Sequence, residues 1–173
     1  MEVRHKSCLF KGLVINLEQQ EVQIGSKGWH TYQIVRHPGG AAVLPLHDDD
    51  TVTLIRQLRP AVEKFTIEIP AGRLSPGENP IDCGRRELVE ETGLAAAVLS
   101  PLGQIFTSPG VFDEVIHLFL ATGLSQGVSQ PDPYEDITSL RIPLSEALRM
   151  AQDGRINDGK TMAALLRAAA GRP

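Results

Sequence analysis

The stretch from Gly72 to Leu94 constrains this chain more than any other part of it. It fixes one helix by both ends. Asn79 suits the N-cap, and Pro80 suits the first helical position, where a missing N–H costs nothing. Gly93 stands where a helix stops in the left-handed conformation. The spacing predicts a helix from Asn79 to Gly93. Ile81, Gly84 and Leu88 recur at helical spacing and are expected to face a core, with Val89 at its border.

The same helix carries Glu87, Glu90 and Glu91 at i, i+3 and i+4, so three carboxylates share a face beside the apolar one. Like charges at that spacing repel, and the helix C-terminus adds to the cost. Three glutamates in five residues are a plain solvated face in about four cases out of five. Gly72, Glu78 and Arg86 at fixed intervals around them overturn that reading. A hard divalent cation turns the repulsion into attraction; Mg²⁺ is the first choice and Mn²⁺ the alternative. The preceding segment, Glu68-Ile69-Pro70-Ala71-Gly72, reads as a strand end turning sharply. Gly72 permits close backbone approach, which offers the Ala71 carbonyl as a further oxygen ligand.

The full pattern is Gly72, five residues, Glu78, seven residues, then Arg86-Glu87-Leu88-Val89-Glu90-Glu91-Thr92-Gly93-Leu94. It resembles the Nudix box, the signature of hydrolases acting on nucleoside diphosphates linked to another moiety. Such a match arises by accident about once in a billion starting points. The resemblance implies an α+β fold, an α/β/α sandwich with a mixed central sheet. It also implies Ala71, Glu87, Glu90 and Glu91 as metal ligands, Arg86 as the residue orienting the glutamates, and a supporting role for Glu78. Glu90 and Arg86 thereby count among the catalytic candidates.

Further motifs resemble the ADP-ribose pyrophosphatase branch: Arg56-Gln57-Leu58-Arg59-Pro60, Glu68 to Gly72, and Ser108-Pro109-Gly110 with Asp113-Glu114 behind it. The similarity runs from about Tyr32 to Lys160. A pyrophosphate substrate wants a bidentate arginine, for which Arg59 ranks first and Arg56 second; without the motif, each is a surface ion pair about two times in five. Ser108 and Gly110 form a rigid turn presenting a hydroxyl and backbone amides, and Glu114 is placed to accept from a ribose hydroxyl. An ordinary surface turn is about as good a reading of those three residues. Tyr32 matches a family position that holds the base, with Trp29 next; core packing of an amphipathic aromatic weighs equally. The resemblance places the general base on an acidic loop, here Gln130 to Ile137, with Glu135 the best candidate and the box glutamates as substitutes. That loop departs from the family pattern in having two prolines and fewer glutamates. The implied reaction is hydrolysis of ADP-ribose to AMP and ribose 5-phosphate, with GDP-mannose or another nucleoside diphosphate sugar as the alternative substrate. A non-catalytic nucleotide-binding module ranks last, because every box glutamate is present.

Composition limits the remaining classes. With 173 residues the chain is expected to be one domain, residues 1–173, whose β-rich first 40 residues are a candidate homodimerisation element. A net charge of −4 argues against nucleic acid as a bulk partner. No apolar run reaches membrane-spanning length, and the first residues lack the apolar segment of a signal peptide. Cys8 and Cys83 lack metal-site spacing; reduced thiols and a cytoplasmic location are expected. Cys83 lies one turn before Glu87, but a lone helical Cys is far more often packing.

The coarse pattern predicts strands at Leu13–Leu17 and Glu21–Ile24 with a polar turn between them. Further strands are expected at Trp29–Arg36, Ala41–Leu46, Thr51–Leu58, Ala97–Phe106, Val115–Thr122 and Ile137–Ile142. His47-Asp48-Asp49-Asp50 reads as a hairpin turn. Helices are expected at Leu144–Asp153, with Ser145 as N-cap, and at Asp158–Ala170, with Asp158 as N-cap.

Overall fold

The computed structural model describes residues 1–128 and 136–171, so Glu135 lies outside the described residues. The chain divides into two compact units, Met1–Gly39 with Phe106–Val115, and Gly40–Ile105 with Ile116–Pro173.

The first unit is an antiparallel sheet of β1 (Val3–Lys11), β2 (Asn16–Gln23) and β3 (Trp29–Arg36), in that order. The expected turn around Glu18 and Gln20 is absent, and β2 runs straight through it. Its polar residues are paired across the sheet instead of turning. Glu18 accepts from Arg36 Nε at 2.7 Å and pairs with Lys6 at 3.0 Å, while buried Gln20 accepts from Arg36 Nη2 at 3.3 Å. Strand β1 escaped the sequence pattern because all of it is exposed, so it carries no inward-outward alternation. The segment around Phe112 is tied to β3 by a parallel bridge, with the Val35 amide donating to Val111 O at 2.8 Å and the Asp113 amide to Val35 O at 3.1 Å.

The second unit contains β4 (Gly40–Pro45), β5 (Thr51–Arg59), β6 (Lys64–Glu68), β7 (Ala71–Arg73) and helix α1 (Pro80–Thr92). Strands β8 (Leu94–Phe106), β9 (Val115–Gln126) and β10 (Ile137–Pro143) follow, then helices α2 (Leu144–Gln152) and α3 (Gly159–Ala170). One sheet is mixed, in the order β7-β4-β9-β8, with β4 parallel to β9 and antiparallel to β7. The other is antiparallel, β10-β5-β6. Strand β4 is buried on both faces, as a near-continuous apolar run should be. Ala41 and Val43 pack with Cys83 and Leu88 of α1. Ala42 and Leu44 face the other way, into a core with Leu54, Ile69, Ala147 of α2 and Leu165 of α3. Helices therefore cover opposite sides of the strands, and the fold is α+β with a mixed sheet. None of the described helices is long and apolar enough to cross a membrane.

Helix α1 has the expected ends: Asn79 is extended at the N-cap position, though its side chain accepts no capping bond and its Nδ2 instead donates to Asp82 at 3.4 Å, Pro80 opens the helix, and Gly93 is left-handed at φ 71° with its amide on Val89 O. Its buried face holds Gly84 and Leu88 as expected, with Val89 at the border, and departs from the expectation at Ile81. Cys83, Gly84, Glu87, Leu88, Glu91 and Thr92 are buried, while Ile81 and Val89 are exposed. Ile81 sits at the second position of the helix, and the packed stripe begins two residues later at Cys83. At Gly84 an added Cβ would lie 3.1 Å from Val43 Cγ2, which explains why the helix can approach β4 so closely. Helix α2 starts at Leu144, with Pro143, the last residue of β10, at the N-cap position, so Ser145 falls inside the first turn and does not cap it. The acidic tetrad is a turn as expected, with the His47 amide donating to Thr51 O at 2.9 Å. Asp158 caps α3 by accepting from the Thr161 amide.

Candidate active site

Arg86 is the hub of the acidic cluster. Its Nε donates to Glu78 Oε1 at 3.0 Å and its Nη2 to Glu78 Oε2 at 3.1 Å. Its Nη1 donates to Glu87 Oε1 at 2.6 Å and to Glu90 Oε2 at 3.0 Å. Its Nη2 also reaches Arg73 O at 3.2 Å. The bonds to Glu78, followed by those to Glu87 and Glu90, outweigh partial burial and raise the guanidinium well above its ordinary pKa. The bond from Arg86, helped by the Ser75 amide, holds the Glu78 carboxyl at about 2.

Glu87 and Glu91 lie on the buried edge of α1, Glu90 on its more exposed side. Glu91 Oε2 accepts the Ala71 amide at 2.9 Å, which ties the helix to the first residue of β7. The carboxylate of Glu87 fills the space beside Gly72 so completely that a Cβ there would fall inside it. Among the described residues, no three acidic, His or Cys side chains converge closely enough to hold an ion. The donor chemistry nevertheless suits a hard divalent cation. Two carboxylates already converge on one cationic nitrogen, Arg86 Nη1, and Gly72 leaves the backbone beside them bare. Glu87, Glu90, Glu91 and the Ala71 carbonyl are the groups that would hold it.

Cys83 is not part of such a donor set. Burial first, then the neighbouring Glu78 and Glu87 charges, push its thiol up to about 12, and a soft sulfur is a poor ligand for a hard, oxygen-seeking divalent cation. Its Sγ faces Gly72 O and Arg73 O.

The two arginines of β5 separate. Arg59 faces Glu68 and grips its carboxylate edge-on, Nε to Oε1 at 2.8 Å and Nη2 to Oε2 at 2.7 Å. Arg56 is three residues away along an alternating strand and so lies on the opposite face. Its guanidinium stacks 3.5 Å over the Phe65 ring. It lines a cavity of about 270 Å³ with Lys64, Arg155 and Asn157. Burial alone would raise the Glu68 carboxyl; Arg59, Lys160 and Thr66 outweigh it and hold it at about 2. The Glu68–Lys160 contact had no signal in the sequence, because the two residues are 92 positions apart.

Tyr32 and Gly110 come together within the first unit. Both line an open cavity of about 450 Å³ with Ile34, Phe106 and Phe112 among its apolar walls. Tyr32 is 37 % exposed and meets His30 edge-to-face at 5.0 Å. Trp29 instead carries Arg4 over its ring at 4.1 Å. Ser108 lies outside the cavity wall, and its carbonyl accepts from the Val111 and Phe112 amides at 3.1 and 2.9 Å. Glu114 pairs with His37 Nδ1 at 3.2 Å.

The NUDIX domain family model matches residues 36–165. An ADP-ribose pyrophosphatase of Bacillus subtilis is 36% identical over 162 residues, covering 92% of this chain and 88% of that protein. A methanol dehydrogenase activator of Bacillus methanolicus is 37% identical, covering 91% of this chain and 86% of its own. A GDP-mannose pyrophosphatase of Klebsiella pneumoniae is 37% identical, covering 80% and 74% respectively. A crystal structure of an ADP compounds hydrolase superposes with a TM-score of 0.84 at 22% identity, covering 98% of this chain and 92% of that one, which extends the likeness to the fold. With box, helix geometry and family model in agreement, the chain belongs to the Nudix domain family.

Proposed function

We propose that this protein is a Mg²⁺-dependent pyrophosphohydrolase that cleaves ADP-ribose to AMP and ribose 5-phosphate. The observation that carries this reading is the convergence of Glu87 and Glu90 on Arg86 Nη1 beside Gly72, with Glu91 fixed to the Ala71 amide. The ADP-ribose pyrophosphatase relative, 36% identical over nearly the whole chain, supports the substrate.

In the reaction, a water oxygen forms a bond to one phosphorus while the bridging P–O bond breaks and its electrons leave with the other phosphate. Mg²⁺, held by Glu87, Glu90, Glu91 and the Ala71 carbonyl, would neutralise phosphate charge and make water acidic enough to attack. Arg86 holds Glu87 and Glu90 in register. Arg59 keeps its orientation through Nε and Nη2 on Glu68, which leaves Nη1 to donate to a phosphate oxygen as charge develops there. A carboxylate takes the proton of the attacking water: Glu135 is the first candidate and Glu90 the second. Tyr32 is assigned to the base, Ser108, Gly110 and Glu114 to sugar hydroxyls, and Arg56 to a secondary anionic contact.

The GDP-mannose pyrophosphatase relative favours a second substrate reading with the same chemistry. A substrate panel of ADP-ribose, GDP-mannose and other nucleoside diphosphate sugars, with coupled phosphate release, separates the two. ADP-ribose is expected to give the highest kcat/KM. Comparable rates on GDP-mannose would refute an ADP-ribose assignment.

The proposal extends to a homodimer in which residues 1–173 act as one functional domain. All of β1 is exposed, as are Leu9, Phe10, Leu13 and Val14 near its end, an apolar surface that a second copy would cover. Light scattering on the purified protein checks this; a strictly monomeric active enzyme contradicts it. The two unpaired thiols, Cys8 and Cys83, favour a reducing, cytoplasmic setting.

A further inference from the structure

Helix α3 opens on a polar cluster that the proposed reaction does not use. Asp158 Oδ2 accepts from the Thr161 amide at 2.9 Å and from the Thr161 hydroxyl at 2.5 Å. Thr161 is fully buried, and its Oγ1 accepts the Ile69 amide at 2.8 Å. Lys160 donates to Asp158 Oδ1 at 2.9 Å and also reaches Glu68 Oε2. The start of α3 thus grips two consecutive residues, Glu68 by its side chain and Ile69 by its backbone.

Those residues lead directly to the box. Pro70 O accepts the Val43 amide at 2.9 Å, and the Ala71 amide donates to Glu91 at 2.9 Å. Four successive residues are each held by other elements: Glu68 by β5 and α3, Ile69 by α3, Pro70 by β4, Ala71 by α1.

The charges give Lys160 a specific task. Glu68 is 2 % exposed and meets two cations, Arg59 and Lys160. A buried carboxylate with one counter-charge would claim it fully, and any substrate phosphate would then compete with Glu68 for Arg59. A second cation on the same carboxylate removes that competition while leaving the bidentate grip that orients Arg59. We propose that Lys160 is a positioning residue for substrate: by sharing Glu68 with Arg59, it leaves Arg59 oriented and still positive toward the diphosphate. This rests on the phosphate-binding role given to Arg59 above.

The alternative is an ion pair that merely staples α3 to the sheet, and a double-mutant cycle separates the two. Lys160→Met leaves Glu68 paired with Arg59, while Asp158 loses its cation and keeps the two bonds from Thr161. In the full-length enzyme with saturating Mg²⁺, Lys160→Met is expected to raise KM for ADP-ribose about tenfold with kcat within about threefold. Lys160→Arg is expected to restore KM to within about twofold. In an Arg59→Met background, adding Lys160→Met is expected to change KM less than twofold, because the effect passes through Arg59. Lys160→Gln, which keeps a donor to Asp158 but not the charge, should behave like Lys160→Met and serves if the latter melts near assay temperature. An unchanged KM in either neutral variant, or a tenfold rise that persists without Arg59, overturns the positioning role. A wild-type protein that hydrolyses no nucleoside diphosphate sugar overturns the parent reading as well, and that control is read first.

Discussion

The Glu87 carboxylate occupies the place where a side chain on Gly72 would begin. The glycine is therefore required for space, since neither its φ nor a turn demands it. Glu87 in turn is fixed from the other side by Arg86 Nη1 at 2.6 Å.

Gly72→Ala should displace that carboxylate. Overpacking of this kind costs about 1–3 kcal/mol, so the variant is expected to fold with a lowered Tm. Because the displaced group belongs to the proposed metal set, kcat should fall at least about tenfold. Thermal melting paired with steady-state kinetics checks both; a variant with wild-type kcat removes Glu87 from the site.

Arg86→Lys tests the hub. A lysine has the charge but not the planar fork that serves Glu78, Glu87 and Glu90 together. The expected outcome is a kcat at least about tenfold lower with KM little changed, since Arg86 acts on the glutamates and not on substrate. A rise in KM alone would place Arg86 on the substrate instead.

Glu68 supplies a pH signature. Its carboxyl is held at about 2 against an ordinary value of 4.5. A group depressed in the folded state stabilises the fold above its unfolded pKa, and the contribution is lost as pH falls through the folded one. Denaturant unfolding of wild type and Glu68→Gln should therefore show a stability difference that is constant above about pH 5 and shrinks between about 4.5 and 2. A difference that does not change with pH across that window contradicts the ion-paired assignment.

Tyr32→Ala probes the cavity of the first unit. Loss of one aromatic contact is worth about 0.5–1.5 kcal/mol, so KM for ADP-ribose should rise roughly two- to tenfold while kcat stays close to wild type. An unchanged KM would remove Tyr32 from base recognition.

Much of this architecture is legible in the sequence because its signals are local. Asn79, Pro80 and Gly93 mark both ends of α1, and Trp29–Arg36 reads as a strand at its true bounds. What escaped depends on partners distant in the chain. Strand β1 is exposed along its length and so shows no pattern. Glu18 and Gln20 look like turn residues until Arg36 supplies their partner from β3. The opposite faces of Arg56 and Arg59 were implicit in their odd spacing, but the clamp on Glu68 needed Lys160, 92 residues away. The roles of the box residues rest on a family pattern, while the need for Gly72 lies in Glu87, 15 positions on, whose carboxylate packs against it.

The most direct test follows the products of ADP-ribose by ³¹P NMR, with Mg²⁺ and after its removal by EDTA, in wild type and Glu91→Gln. The account predicts AMP and ribose 5-phosphate only when Mg²⁺ is present, with Glu91→Gln at least about a hundredfold slower. Turnover that survives EDTA, or a Glu91→Gln enzyme as fast as wild type, would contradict it.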